Sequence, residues 1–296
     1  MSRLSKRRKG LMTDKPLTLG GLFAAFWPQI SVTWAMTLIE VGLFALIPLL
    51  IGFAIDGLLS GKFTAFYQLG GVLVALILIG TLRRVYDTRV YGFMRVELGK
   101  ALVRRAGDMP VSRLNARLNM GREPVDFLET EAPESVTSLI RATAAIVILA
   151  GFHPTLALAA LGALVTTLAI YALTHRRFFR LNAAFNTQTE KQVGVLEARS
   201  QPRLGAHLLG LRKSEVRISD TEGLVYGLIF LVLLGMQMFN LWFATQEIAI
   251  TAGRVFSIVT YSWDFVESAL VLPMTLQSFS RLSEITARIN QMESTL

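Results

Sequence analysis

Residues Ile30–Ile55 read ISVTWAMTLIEVGLFALIPLLIGFAI, a run in which Glu40 is the one ionisable side chain. About 20 predominantly apolar residues suffice for a helix to cross a hydrocarbon core about 30 Å thick, so this run is long enough to span a bilayer. Five further runs follow: Phe66–Leu82, Val136–Phe152, Thr155–Leu173, Gly223–Ala244 and Val255–Leu276. The third contains Arg141 and is followed closely by Pro154, which leaves its ends the least defined. Composition agrees with this reading. The 296 residues are 52% hydrophobic and 17% charged, with a mean hydropathy of +0.49, too apolar for a soluble domain of this length. The expectation is an all-α integral membrane protein of six transmembrane helices.

The charges orient it. With the N-terminus in the cytoplasm, the loops after the first, third and fifth spans are external, and of the 30 lysines and arginines they hold Lys62 and Arg254 alone. Such an asymmetry places both termini inside, in the cytoplasmic membrane. The net charge of +9 therefore speaks for the inner membrane surface and not for nucleic acid. The basic start, Met1–Gly10, is followed by no apolar core of signal-peptide length and reads as a solvated cytoplasmic tail. Cysteine is absent and His153, His175 and His207 are far apart, so neither a disulfide framework nor a metal site is expected.

The external connections are short, whereas the internal ones run from about Arg83 to Ser135 and from Thr174 to Glu222. In Arg95–Leu118 and Phe178–Leu211 apolar residues recur every three or four positions among many charges. That is the pattern of helices continuing out of the bilayer, by roughly 35 to 40 Å for some 25 residues. Two long cytoplasmic helical hairpins are expected. Ahead of the first span, Leu17–Trp27 places Phe23, Phe26 and Trp27 along one face after Pro16, as in a short interfacial elbow helix; a plain continuation of the first span is the alternative.

These features together resemble the membrane domain of the type IV ABC exporters. Pro48–Asp56, PLLIGFAID, resembles the end of their first helix. Arg95–Arg105, then Met109-Pro110 and Gly121-Arg-Glu123, resemble their first cytoplasmic hairpin. Gly253 through Tyr261, closing at Ala287-Arg288-Ile289, resembles their sixth helix and its exit. The resemblance implies a tail and elbow over residues 1–29, a six-helix domain over 30–290 and a short tail over 291–296. It also implies a homodimer enclosing one central path, and alternating access as the transport mechanism. In that family a nucleotide-binding domain follows the position of Arg288-Ile289. No Gly-x-x-x-x-Gly-Lys-Ser/Thr loop occurs in these residues: Gly61-Lys62 and Gly99-Lys100 are followed by Phe63 and Ala101, which lack the hydroxyl that holds magnesium. The chain is thus expected not to be an enzyme, with no cofactor of its own, and ATP and magnesium enter only through a separately encoded nucleotide-binding subunit. Candidate docking segments for it are Phe127, Leu128 and Glu129, flanked by Pro124 and Pro133, and Arg203 and Leu204, beside Pro202. The prolines are either helix breaks that disfavour an ATPase partner or the starts of short coupling helices.

Ionisable groups inside a bilayer are costly, so they are the best candidates for a site. Glu40 lies mid-span. Tyr261, Asp264 and Glu267 are three residues apart on one face of the sixth span. Arg83, Arg84, Asp87 and Arg89 follow the apolar part of the second. On one reading Glu40, Asp264, Glu267 and Tyr261 bind a cationic or amphiphilic substrate or exchange protons. On the other, Glu40 or Glu267 pairs with Arg83 or Arg84 as a buried lock that fixes packing. Three functions follow from the fold and these charges: a subunit powered by an ATPase in trans, a proton-coupled secondary transporter, and a membrane scaffold that moves nothing.

Overall fold

The computed structural model describes residues 19–105, 111, 122, 125–247 and 251–271. The basic run Met1–Gly10, the start of the elbow at Leu17, Met109-Pro110, Gly121, Glu123, Pro124, residues 272–290 and the tail 291–296 lie outside them. The described residues form helices and no strand. In chain order these are α1 (Leu19–Leu59), α2 (Thr64–Arg105), a π-turn (Phe127–Glu131) running into α3 (Ala132–Phe152), α4 (Pro154–Glu190), α5 (Gln192–Glu197), α6 (Gln201–Glu247) and α7 (252–271). Five helical stretches are long and apolar enough to cross a membrane: Ala24–Leu59, Thr64–Arg104, Phe127–Phe152, Pro154–Glu197 and Gln201–Glu247. α7 differs in where its charges fall: Arg254, Asp264 and Glu267 lie in every 18-residue stretch of 252–271, whereas each of those five has a stretch of that length with at most two charges.

Local chemistry explains where the helices bend and stop. α1 carries one non-helical residue, Phe26 (φ −112°, ψ 16°), two positions ahead of Pro28. Proline has no N–H to give and its ring crowds the preceding turn, so the helix kinks there, between its first residues from Leu19 and the long apolar run. At its other end Gly61 takes φ +74°, while Lys62 N–H donates to the Gly57 carbonyl (2.7 Å) and Gly61 N–H to Leu58 (3.1 Å). This is a Schellman closure, and its left-handed residue is a glycine. Pro133 has the opposite role. The turn just ahead of it widens to a π-turn, with Ala132 N–H reaching the Phe127 carbonyl. Between α3 and α4 one residue suffices: His153 caps α4 by accepting from Thr155 N–H (3.2 Å), and Pro154 opens the helix where its missing donor costs nothing. Pro202 likewise falls in the first turn of α6, so it starts that helix and does not break it.

The chain divides into two compact units, residues 1–148 with 249–296, and 149–248. In the first, α1 packs along α2. Beyond the apolar part of α2, Phe26, Ile30, Tyr91, Met94, Leu98 and Leu128 form a buried cluster, and Phe26 meets Phe93 edge to face at 6.3 Å. Arg95 fastens it from outside, donating to Asp126 (2.8 Å) and to Glu129. In the second unit α4 and α6 lie antiparallel, with the His153 ring 4.9 Å from Phe243 at one end and Gln188 bonded to the buried His207 (3.2 Å) at the other.

Candidate functional site

Besides the Arg95–Asp126–Glu129 group, two further charge clusters lie in the first unit, each with two carboxylates and one guanidinium. In the first, Arg83 of α2 donates to Glu40 of α1 (2.5 Å) and to Asp87 one turn along (3.3 Å). Asp87 is buried, and its second oxygen accepts from Thr33 (2.8 Å). Gly80 lies beside the Glu40 carboxylate, and a Cβ there would meet its Oε1 at an ordinary contact distance of 3.5 Å. Arg84 and Arg89 are exposed on the same helix, and Arg89 donates back to the Val85 carbonyl (2.9 Å). The structure thus brings Glu40, Arg83 and Asp87 together, and leaves Arg84 and Arg89 outside that group.

In the second cluster Arg141 of α3 bonds Asp264 of α7 at 3.0 Å and reaches Glu267 at 3.6 Å. Trp263 Nε1 donates to the other Glu267 oxygen (2.9 Å). Arg141 and Asp264, but not Glu267, border a cavity of about 290 Å³ lined by Phe44, Pro48, Arg141, Thr260, Tyr261 and Asp264, among others. The Tyr261 ring is fully buried and its hydroxyl donates to the Ala45 carbonyl (2.5 Å). Ala45 lies in the turn before Pro48, which has no N–H to donate back into that turn. Arg141 is the residue that sequence reasoning left unassigned. An arginine inside an apolar run needs a counter-ion, and that signal pointed to a partner without saying which of the distant acids it was.

What holds α7 against α1 is a ladder at four-residue spacing. Ser257 donates to the Pro48 carbonyl (2.9 Å), Gly253 faces Gly52 backbone to backbone, and Asp56 accepts from Gly253 N–H (2.9 Å) and from the Thr251 hydroxyl. Asp56 is therefore a cap supplied from another helix, placed at the positive end of α7. An Asp56→Ala chain is expected to lose about 1 to 2 kcal/mol, and Asp56→Asn, which keeps an acceptor for Gly253 N–H, less than half of that. Thermal midpoints in detergent check this, and equal midpoints for all three chains would remove the cap from the account.

The remaining candidates are dispersed. Phe127 and Leu128 are buried, Phe127 beside Trp34, and Glu129 is taken up by Arg95. In the second unit Arg203 is exposed and Leu204 half-buried, in the first turn of α6. No group of three or more metal-ligating side chains occurs among the described residues.

Comparison with known proteins agrees with this architecture. A solved structure of a bacterial Atm1-family ABC exporter with ATP bound matches with a TM-score of 0.66 at 14% identity, over 92% of this chain and 54% of that one. The likeness at that identity is one of fold, and the chain spans about half the length of that exporter. No curated protein matches it by sequence. Residues 22–253 match the family described as the ABC transporter transmembrane region, and with that match covering most of its length, this multi-pass membrane protein belongs to that family.

Proposed function

We propose that the chain is the membrane half of an ATP-driven transporter, working as a homodimer that opens a central cavity alternately to each side of the cytoplasmic membrane. Its energy comes from an ATP-hydrolysing unit other than these 296 residues, and both termini face the cytoplasm. The observation that carries this reading is the cavity between α1, α3 and α7, walled by Arg141, Asp264 and Tyr261 in an otherwise apolar helix array. A scaffold that moved nothing has no need of a space edged by costly charges. The family to which the chain belongs, and its likeness to an exporter captured with ATP, support ATP as the source of energy.

A second reading rests on one specific feature: each cluster has one carboxylate more than its arginine neutralises. Glu267 in particular has a side chain that is 53% exposed and stands 3.6 Å from Arg141, with its other oxygen accepting from Trp263 Nε1. Inverted membrane vesicles carrying the chain together with a candidate nucleotide-binding subunit, given a panel of fluorescent dyes, separate the two. ATP-dependent dye uptake that survives an uncoupler, in the parent and in Glu267→Gln alike, is expected. Uptake driven by an imposed pH gradient without ATP, and lost in Glu267→Gln, would replace the ATP-driven reading with the proton-coupled one.

A further inference from the structure

We propose that the α4–α6 pair carries a binding site for an anionic phospholipid, with its phosphate on Arg177, Arg180, Lys213 and Arg217 and an acyl chain along Leu224, Leu228 and Leu231. The register of the pair follows from its two end contacts, His153 with Phe243 and Gln188 with His207. Counting inward from either, Arg180 comes level with Arg217 to within a turn, and Leu173 level with Leu224. Each helix turns 100° per residue, and the buried or half-buried positions Thr167, Thr174, Phe178 and Leu181 on α4, and His207, Ser214, Ile218 and Val225 on α6, mark the faces in mutual contact. Measured from those faces, Arg177 and Arg180 are displaced to one side of α4, and Lys213 and Arg217 to the same side of α6. In an antiparallel pair, equal rotations fall on the same flank. The four cations therefore share one groove, where Asp220 is the opposing charge, while Glu215 and Glu222 lie on the other flank.

All four are exposed, and none forms an ion pair among the described residues; Arg180 bonds the Arg176 carbonyl through Nε (3.4 Å). Immediately toward the apolar part of the helices, on that same flank, Leu173 is 84% exposed, Leu224 64% and Leu231 69%, with Leu228 between them. A basic head site continuous with an apolar track at the point where the hydropathic segment ends has the chemistry of an amphiphile, and its charge selects an anion. Free phosphate would have no use for the leucines. Because the site lies within one unit, it stands whether transport is ATP-driven or proton-coupled.

The test is native mass spectrometry of the purified full chain, offered equal amounts of phosphatidylglycerol and phosphatidylcholine of the same acyl length. Preferential retention of phosphatidylglycerol is expected, falling about fivefold for each cation removed in Arg180→Gln and Arg217→Gln, and kept in the Arg180→Lys, Arg217→Lys double variant, which shows the fold is intact. Equal retention of the two lipids overturns the proposal, as does selectivity untouched by the double glutamine variant. Displacement by excess glycerol 3-phosphate also overturns it, since it would show an anion site indifferent to the acyl chain. The chain has no cysteine, so Leu224→Cys supplies one thiol. Its disulfide-linked dimer in the bilayer would put a second copy on this face and equally end the lipid assignment.

Discussion

Replacing Gly253 by leucine is expected to prevent α7 from docking on α1 and to leave little folded protein in detergent. A Cβ at Gly253 would overlap the Gly52 carbonyl and the Asp56 carboxylate, and a Cβ at Gly52 would overlap the Gly253 carbonyl and Ser257 Oγ. Two of these obstacles are backbone, which cannot swing aside as the end of a long side chain can. Overpacking a fitted core costs about 1 to 3 kcal/mol even where side chains adjust. Here the helices have to separate, which also strips the Ser257 bond to Pro48 and the Asp56 cap from α7. Gly253→Ala is expected to show a reduced form of the same defect. Nothing lies within 4 Å of a Cβ built at Gly223 or Gly227, so alanine at either is expected to be neutral or stabilising, as for any helical glycine in open space. Thermal midpoints from size-exclusion chromatography compare these four variants with the parent. If Gly253→Ala melts with the parent, the close approach does not govern stability.

That contrast marks what the sequence could and could not disclose. Gly223 and Gly227 have the small-xxx-small spacing that permits close helix contact, yet both face open space. The contact that exists joins Gly52 to Gly253, and nothing in either neighbourhood names the other. Apolar runs long enough to cross a bilayer were legible because length and hydropathy are local properties. The continuation of α2, α4 and α6 beyond those runs was legible for the same reason, as their three- and four-residue periodicity persists among the charges. Arg141 and Asp264 stand 123 residues apart, and Thr33 and Asp87 stand 54 apart. The sequence showed that such charges needed partners, but choosing the partner takes the packing of three helices. The prolines were ambiguous in one dimension too: Pro202 begins a helix, Pro133 follows a widened turn, and Pro28 follows a kink, three outcomes of the same missing donor.

The second large effect is expected at Arg83, whose guanidinium serves two carboxylates from two helices. Its side chain is 29% exposed, that of Glu40 17% and that of Asp87 9%, so water screens little of what is lost with it. Removing one member of a buried ion pair costs about 3 to 5 kcal/mol, chiefly because its partner is stranded as an uncompensated charge, and Arg83→Met strands two. The same reasoning predicts the rescue. Glu40→Gln in the Arg83→Met background removes one stranded charge, and Asp87→Asn removes the other while leaving Thr33 an acceptor. The triple variant is expected to recover most of the stability that the single change forfeits, and the coupling is read from a mutant cycle of thermal midpoints. Were the triple variant as unstable as Arg83→Met, the guanidinium would be acting through its stem and not its charge. Arg141 has the same two-acid arithmetic with more exposure, 36% against 53% for Glu267, so Arg141→Met is expected to cost less stability. Its consequence belongs in the cavity it borders. A cluster that tolerates losing its cation in the folded state, yet fails in dye transport, distinguishes the charges that move a substrate from those that hold two helices together.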